Sequence, residues 1–310
     1  MNLLQYIANG LFLTEDETKR FIITAPRRYK KFTIAKRNGL DRRLIAQPAR
    51  QVKSIQRAVL KHIRENIKVH EHAFAYEKER DIKKNASLHK DHDYLLKMDF
   101  KNFFLSIKPV NLLNVIKMQG ISLENDDVFV LENLFFWKLR RNSPLRLSIG
   151  APSSPFISNA VMFFFDTVMS EKCKKIEVTY TRYADDLTFS TNRKNVLFEV
   201  PRLVREILNE TSLRNIKINH EKTVFSSKKF NRHVTGVTLA NNGVLSLGRE
   251  RKRLLRSKVD YYRKGLLSPE EILTLKGELG NAKFIEPEFI ERVESKYGSD
   301  VIREIQKYNI

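Results

Sequence analysis

The chain of 310 residues has one cysteine, Cys173, and one tryptophan. A single thiol excludes an internal disulfide and a cysteine zinc cluster, and Cys173 is expected to be a small core residue of a helix. Long apolar runs are missing as well. The longest, Ala160-Val-Met-Phe-Phe-Phe165, falls far short of the roughly 20 residues that cross a bilayer. Glu15, Asp16 and Glu17 follow the apolar start where a signal peptide would carry a basic leader and a cleavage site, so a cytoplasmic protein with no membrane partner is expected. Internal repeats, low-complexity tracts and Pro/Gly linkers are absent, which leaves changes of pattern to mark boundaries. Acid is scarce too: 36 Asp and Glu stand against 57 Lys and Arg, a formal charge of +21. Such an excess points to a polyanionic partner, nucleic acid first, and away from a small neutral substrate.

The most informative stretch is Val178-Thr-Tyr-Thr-Arg-Tyr-Ala-Asp-Asp-Leu-Thr-Phe-Ser190. Val178, Tyr180 and Arg182 alternate with Thr179 and Thr181, and Leu187 and Phe189 alternate with Thr188 and Ser190. A period of two on both sides places Asp185 and Asp186 at the tip of a β-hairpin. Adjacent acids at such a place are most often an ordinary turn. Here a third acid accompanies them, because Tyr94-Leu-Leu-Lys-Met-Asp99 reads as a short apolar strand ending in a carboxylate.

Three acids gathered on neighbouring strands repel one another unless cations neutralise them. Mg²⁺ suits the task, being a hard ion that takes one or two protein carboxylates together with phosphate oxygens. Two such ions about 4 Å apart can activate an attacking hydroxyl and stabilise a leaving pyrophosphate. Asp99 and Asp185 are the expected bridging ligands. Asp186 is expected to be a weaker ligand or a shaping charge.

From Arg27 to Lys68 there are 14 Lys and Arg against two acids. Apolar Phe32, Ile34, Leu44 and Ile45 are interleaved with them, a spacing that predicts a hairpin turning near Asn38-Gly39. Gly150-Ala-Pro-Ser-Ser-Pro155 opens a helix expected to run to about Met169, with proline in the first turn and serine hydroxyls capping free N–H groups. From Leu247 the pattern turns helical. Leu255, Val259, Tyr262 and Leu266 form one apolar stripe, and the eight Lys and Arg between Arg249 and Lys264 fall mostly off it.

Tyr183-Ala-Asp-Asp186, an upstream strand ending in Asp99, and Gly150-Ala-Pro-Ser-Ser-Pro155 between them, in this order, resemble a reverse transcriptase. Asn85-Ala-Ser-Leu-His89 and Val234-Thr-Gly236 are similar to markers of the bacterial retron branch. The resemblance covers nearly the whole chain. It implies an α+β fold, a right-hand polymerase with fingers, an antiparallel-sheet palm with a ferredoxin-like core, and a helical thumb. The implied parts are fingers with the basic hairpin over 1–93, palm over 94–106 and 150–247, a helical insertion over 107–149, and thumb over 248–310.

The implied activity is RNA-directed DNA synthesis by a nucleotidyltransferase. A retron enzyme copies part of its own structured non-coding RNA into single-stranded msDNA, priming from a guanosine 2′-hydroxyl to leave a branched RNA–DNA. Such enzymes often serve anti-phage defence beside an effector protein encoded nearby. An intron-encoded reverse transcriptase and a catalytically silent RNA-binding protein on a polymerase scaffold are the alternatives.

Residue by residue, the resemblance gives a metal set of Asp99, Phe100, Asp185 and Asp186. Lys222 would protonate the departing pyrophosphate, with a surface lysine as the alternative. Lys36 and Arg43 would close onto the incoming dNTP, with solvated surface as the alternative for both. Phe104 would bar a ribose 2′-hydroxyl, or else be a core ring. Gly150, Ala151 and Pro152 would line the nucleotide site. Ser148-Ile149 stands where many relatives have Pro-Gln, which puts in doubt a hydrogen bond that the glutamine would supply. Arg251, Arg256 and Arg263 would face nucleic acid from the thumb.

Overall fold

The computed structural model describes residues 2–35, 39 and 41–309. The chain folds into two compact units. The first comprises residues 1–79, 96–189 and 195–224, and the second residues 80–95, 190–194 and 225–310. The strands are β1 (Tyr29–Ala35), β2 (Arg42–Pro48), β3 (Tyr94–Lys101), β4 (Thr179–Tyr183), β5 (Asp186–Thr191), β6 (Lys217–Ile218), β7 (Val224–Ser227), β8 (Arg232–Val234), β9 (Val237–Leu239) and β10 (Leu245–Ser246).

The expected basic hairpin is present: β1 pairs antiparallel with β2, with Phe32 opposite Ile45 and Ile34 opposite Arg43. Lys36 and Asn38 of its expected turn lie outside the described residues. Phe32 and Ile34 are exposed, whereas Ile45 and Ala46 are buried, so β2 seats the ribbon and β1 faces outward.

The sheet of the first unit has the order β4-β5-β3-β6. Strand β3 reads as a nearly continuous apolar run because both its faces are covered. Leu96, Met98 and Phe100 are buried on one face, and Leu95 and Asp99 on the other. Strands β4 and β5 are covered in the same way, since the threonines and Ser190 that alternate with their apolar residues are themselves largely buried. Behind the sheet, the helix expected to run unbroken to Met169 is instead two helices, Ser154–Val161 and Phe163–Lys175. The break falls at Met162 (φ −85°, ψ 1°), whose N–H turns back three residues to the Asn159 carbonyl.

In the second unit β10, β9 and β8 form a small antiparallel sheet. Helices Arg249–Arg263, Pro269–Ile285, Pro287–Tyr297 and Ser299–Lys307 share a core that joins Leu255 and Val259 to Leu275, Phe289, Ile302 and Ile305. The helix from Pro269 starts on a capping box, in which the Ser268 hydroxyl and the Glu271 carboxylate each accept from the other residue's backbone N–H. Leu266 does not extend the expected stripe. The preceding helix ends at Arg263, Gly265 takes a left-handed φ of 67°, and Leu266 is 66% exposed. Cys173 is buried, and burial pushes its thiol up to about 12. Among the described residues no helix is long and apolar enough to cross a membrane.

Candidate active site

The carboxylates come together through main-chain geometry. Strand β5 lies beside β3 in the sheet, and the Phe100 N–H donates to the Asp185 carbonyl at 3.1 Å, which sets the β4–β5 turn next to Asp99. In that turn Ala184 takes a left-handed φ of 56°, unusual for a residue with a Cβ. Asp99 is buried and 6% exposed. Its Oδ1 accepts from Asn219 Nδ2 at 3.1 Å and its Oδ2 from Lys222 Nζ at 2.8 Å. A main-chain bond from Asn219 N–H to the Asp99 carbonyl, 2.7 Å long, fixes the loop that carries both partners.

The charges are strained against one another. Loss of water, and then the charge of Asp99, raises the Asp185 carboxyl above its ordinary range, while Lys222 and Arg43 pull it down. Asp186 keeps part of its surface in solvent, yet lost hydration and then Asp185 and Asp99 push its carboxyl up to about 6. Lys222 responds in the opposite sense: its bond to Asp99 raises its ammonium above the usual lysine value. Lys97, on β3 near Asp186, is lowered by desolvation.

A divalent cation fits this donor set. Hard carboxylate oxygens crowd together, and two of the three acids resist ionisation because they have lost hydration and face other carboxylates, which a cation would offset. The set is open, however. Among the described residues no three His, Cys, Asp or Glu side chains converge into a finished ligand cage, because Asp99 is turned toward Lys222 and Asn219. Magnesium tolerates such a site, since it keeps several waters and takes substrate phosphate oxygens.

Phe103 is buried and stacks on Phe100 at 5.6 Å. Phe104 is half-buried and meets Phe103 edge-on at 5.5 Å. Gly150 has a φ of 121°, and a Cβ built on it would lie 3.1 Å from the Ala46 carbonyl oxygen and 3.1 Å from Ile45 Cγ2. Strand β2 therefore passes against this glycine, and the Ala46 N–H donates to the Ile149 carbonyl at 2.8 Å. Ala151 is buried and Pro152 half-buried. The expected serine cap does not form. Ser153 has helical backbone angles (φ −83°, ψ −26°), so its hydroxyl makes no capping bond, and the Ser148, Ser153 and Ser154 hydroxyls are buried without hydrogen-bond partners.

Arg251, Arg256 and Arg263 belong to the other unit, on the helix Arg249–Arg263. They do not stand on a wholly free face. The Arg256 guanidinium lies 5.4 Å over the Phe289 ring and that of Arg263 lies 5.8 Å over Tyr297, beside the buried stripe. In the same unit the two short motifs meet. Asn85 Nδ2 lies 3.5 Å from Thr235 Oγ1, which in turn donates to the Ile82 carbonyl at 3.3 Å, and Ala86 shares a core with Val234. Buried His89 contacts Ser190 Oγ through Nδ1 at 2.7 Å, and Ser190 contacts His92 Nδ1 at 2.8 Å.

Sequence reasoning missed Asn219, although it lies three residues before Lys222 in a string already singled out. It also missed the partnership of Arg182 with Asp166, which are joined at 2.6 Å with both side chains fully buried. One signal was there. Arg182 falls in phase with apolar Val178 and Tyr180, and Asp166 with Met169 and Cys173, and charges at core positions must pair.

An antiparallel sheet that offers two adjacent carboxylates on a hairpin turn and a third from the neighbouring strand is the construction of a polymerase palm. Residues 34–239 match the family described as reverse transcriptase (RNA-dependent DNA polymerase). The chain is 46% identical over 283 residues to the Retron Ec83 reverse transcriptase of Escherichia coli, covering 91% of this chain and 90% of that one. It is 31% identical over 287 residues to the Retron Ec73 reverse transcriptase of the same organism, covering 90% of each. Among solved structures, a telomerase from Candida albicans, in complex with a TWJ fragment of telomeric RNA, aligns with a TM-score of 0.51 at 13% identity. The alignment covers 90% of this chain but spans only 55% of the telomerase, a likeness of fold alone. The chain belongs to the reverse transcriptase family, in its retron branch, and is an RNA-directed DNA polymerase. Enzymes of this family generally use divalent metal ions.

Proposed function

We propose that this enzyme copies part of its own structured non-coding RNA into single-stranded msDNA, beginning at a guanosine 2′-hydroxyl and leaving a branched RNA–DNA. The observation that carries this reading is the gathering of Asp99, Asp185 and Asp186 beside Lys222, in a chain most of whose length matches retron reverse transcriptases. Asp99, Asp185 and Asp186, with the Phe100 main chain, would hold two Mg²⁺ ions, which would supply charge to activate the attacking hydroxyl and neutralise the leaving pyrophosphate. Lys222 swings from Asp99 and holds a proton at Nζ for the pyrophosphate. Arg43 and Lys36 neutralise the dNTP triphosphate. Phe104 excludes a 2′-hydroxyl by volume, and Gly150, Ala151 and Pro152 line the nucleotide site.

In this reading residues 1–93 are fingers, 94–106 and 150–247 palm, 107–149 a helical insertion, and 248–310 a thumb whose Arg251, Arg256 and Arg263 contact phosphates. The protein works in the cytoplasm, beside an effector encoded nearby, in defence against phage. The test is the nucleic acid that copurifies from the native host. A DNA joined to RNA through a 2′,5′ linkage, sensitive to debranching enzyme and missing from Asp185→Asn, is expected. Unbranched product from the wild-type protein overturns the priming step, and DNA made by Asp185→Asn overturns the site.

A further inference from the structure

Arg182 lies on β4, three residues before Asp185, and is fully buried. A guanidinium carries five N–H donors and no acceptor, so each of its edges needs a partner in a dry interior. One edge forks onto Asp166, with Nε to Oδ1 at 2.9 Å and Nη2 to Oδ2 at 2.6 Å, and the Tyr180 hydroxyl donates to the same Oδ1 at 2.7 Å. Nη1 turns the other way. It donates to the Ala184 carbonyl at 3.0 Å and to Asn159 Oδ1 at 3.1 Å.

Both bonds of Nη1 lead to functional backbone. Ala184 is the left-handed residue immediately before Asp185, and such a conformation persists only where its surroundings over-determine it. Asn159 in turn donates through Nδ2 to the Ala75 carbonyl at 2.8 Å and to Glu77 Oε1 at 3.2 Å, and Glu77 pairs with Arg64 at 3.0 Å. Between those two contacts stands Tyr76, another non-glycine residue with a positive φ, 66°. Its ring is 49% exposed, and its hydroxyl is raised by lost hydration and then by the charge of Asp185. The main chain reinforces the tie: the Arg182 N–H donates to the His72 carbonyl at 2.8 Å, and the Phe74 N–H to the Arg182 carbonyl at 2.7 Å.

We propose that Arg182 and Asn159 are positioning residues of this enzyme. Arg182, anchored on Asp166, fixes the left-handed turn at Ala184 and so the direction in which Asp185 and Asp186 leave the hairpin. Asn159 extends the same hold to the loop that carries Tyr76. Burial alone would demand some partner for Nη1; what sets this arginine apart is which partners it has, the carbonyl just before Asp185 and an amide bonded to both neighbours of Tyr76. The inference rests on the reading of Asp185 and Asp186 as a metal-holding pair.

Removing Arg182 alone would strand Asp166 as a buried unpaired charge and endanger the fold. The test therefore uses Arg182→Met/Asp166→Leu/Tyr180→Phe, which replaces the ion pair with apolar side chains of similar volume, an exchange that is often neutral to stability. Asn159→Ala and Asp185→Asn are made alongside. Melting temperature, Mn²⁺ affinity from the electron paramagnetic resonance of the free ion without substrate, and half-saturating Mg²⁺ in primer extension are measured for each. Groups that orient metal ligands through hydrogen bonds typically lower metal affinity about 10- to 100-fold when removed. The triple variant is expected to melt near the wild type and to bind Mn²⁺ more weakly by that order, with half-saturating Mg²⁺ rising in step. Asn159→Ala is expected to move the same way by less.

Wild-type Mn²⁺ affinity in a stable triple variant overturns the proposal. If the triple variant is unstable, Asn159→Ala decides, and unchanged Mn²⁺ affinity there overturns it. Asp185→Asn separates the two readings. Should it bind Mn²⁺ and extend primers like the wild type, the metal site itself is wrong. Should it lose both while the other variants keep both, only the positioning role falls.

Discussion

Lys222 Nζ rests 2.8 Å from Asp99 Oδ2, so a side-chain cation already sits at the acid expected to bridge two metal ions. The Lys222 side chain is 62% exposed while Asp99 is nearly closed off, so the lysine is the partner free to leave. Two roles follow, proton donor to the pyrophosphate or counter-ion of the resting site, and one substitution tells them apart. Lys222→Met should lower kcat by about 100-fold with little change in dNTP KM if the lysine is the general acid, a step usually contributing 10²- to 10⁴-fold. The alkaline limb of the pH–rate profile should also disappear. Unchanged kcat together with tighter Mg²⁺ binding would make Lys222 a counter-ion only.

The Asp186 carboxyl, pushed up to about 6, predicts a pH-dependent metal site. Below that value a proton occupies Asp186 and competes with the cation; above it the carboxylate is free. Half-saturating Mg²⁺ should therefore fall as pH rises from 5 to 7 and level off beyond. Calorimetry of Mg²⁺ binding in two buffers of different ionisation enthalpy should show proton release near pH 6 and little at pH 8. Metal affinity that does not vary across this range would separate Asp186 from the metal.

Phe104→Ala should raise kcat/KM for ribonucleotides relative to deoxyribonucleotides on one template, because the half-buried ring is replaced by open space. Phe103, stacked on Phe100 in the core, is the control. Phe103→Ala should lower the melting temperature, in keeping with the about 3–5 kcal/mol typical of deleting a buried ring, and leave the sugar ratio where it was. A ratio that stays fixed in an active Phe104→Ala enzyme places the gate elsewhere.

Replacing Arg251, Arg256 and Arg263 with Gln should weaken RNA binding and flatten the dependence of log K on log salt by roughly 0.7–0.9 for each phosphate no longer neutralised. Because two of these guanidiniums cover aromatic rings, a stability loss of about 0.5–1 kcal/mol per cation–π pair should accompany it. The kcat at saturating primer-template should be largely kept. A folded variant with an unchanged slope would move the RNA-binding surface to the basic block around β1 and β2.

Local chemistry made much of this legible. The alternation around Asp185 and Asp186 gave the hairpin, the apolar run into Asp99 gave β3, and the stripe through Leu255 and Val259 gave a core-facing helix. What stayed hidden depends on partners remote along the chain: Asn219 reaches Asp99 across 120 residues, and Gly150 is explained by the backbone of β2. Leu266 misled because helical spacing continues on paper past Gly265, whereas the backbone does not. The serine cap failed for a similar reason, since capping needs an extended Ser153 and its backbone is helical.

The contact between Asn85 and Thr235 bears on how such enzymes diverge. The segments 85–89 and 234–236 are distant in the gene but adjoining in the fold, with Ala86 and Val234 in one core. They form two halves of a single packed joint. A chimera that takes one half from a relative inherits a mismatched joint, whereas one that takes both keeps it intact. Recombination between such enzymes would then favour crossovers that move the two halves together.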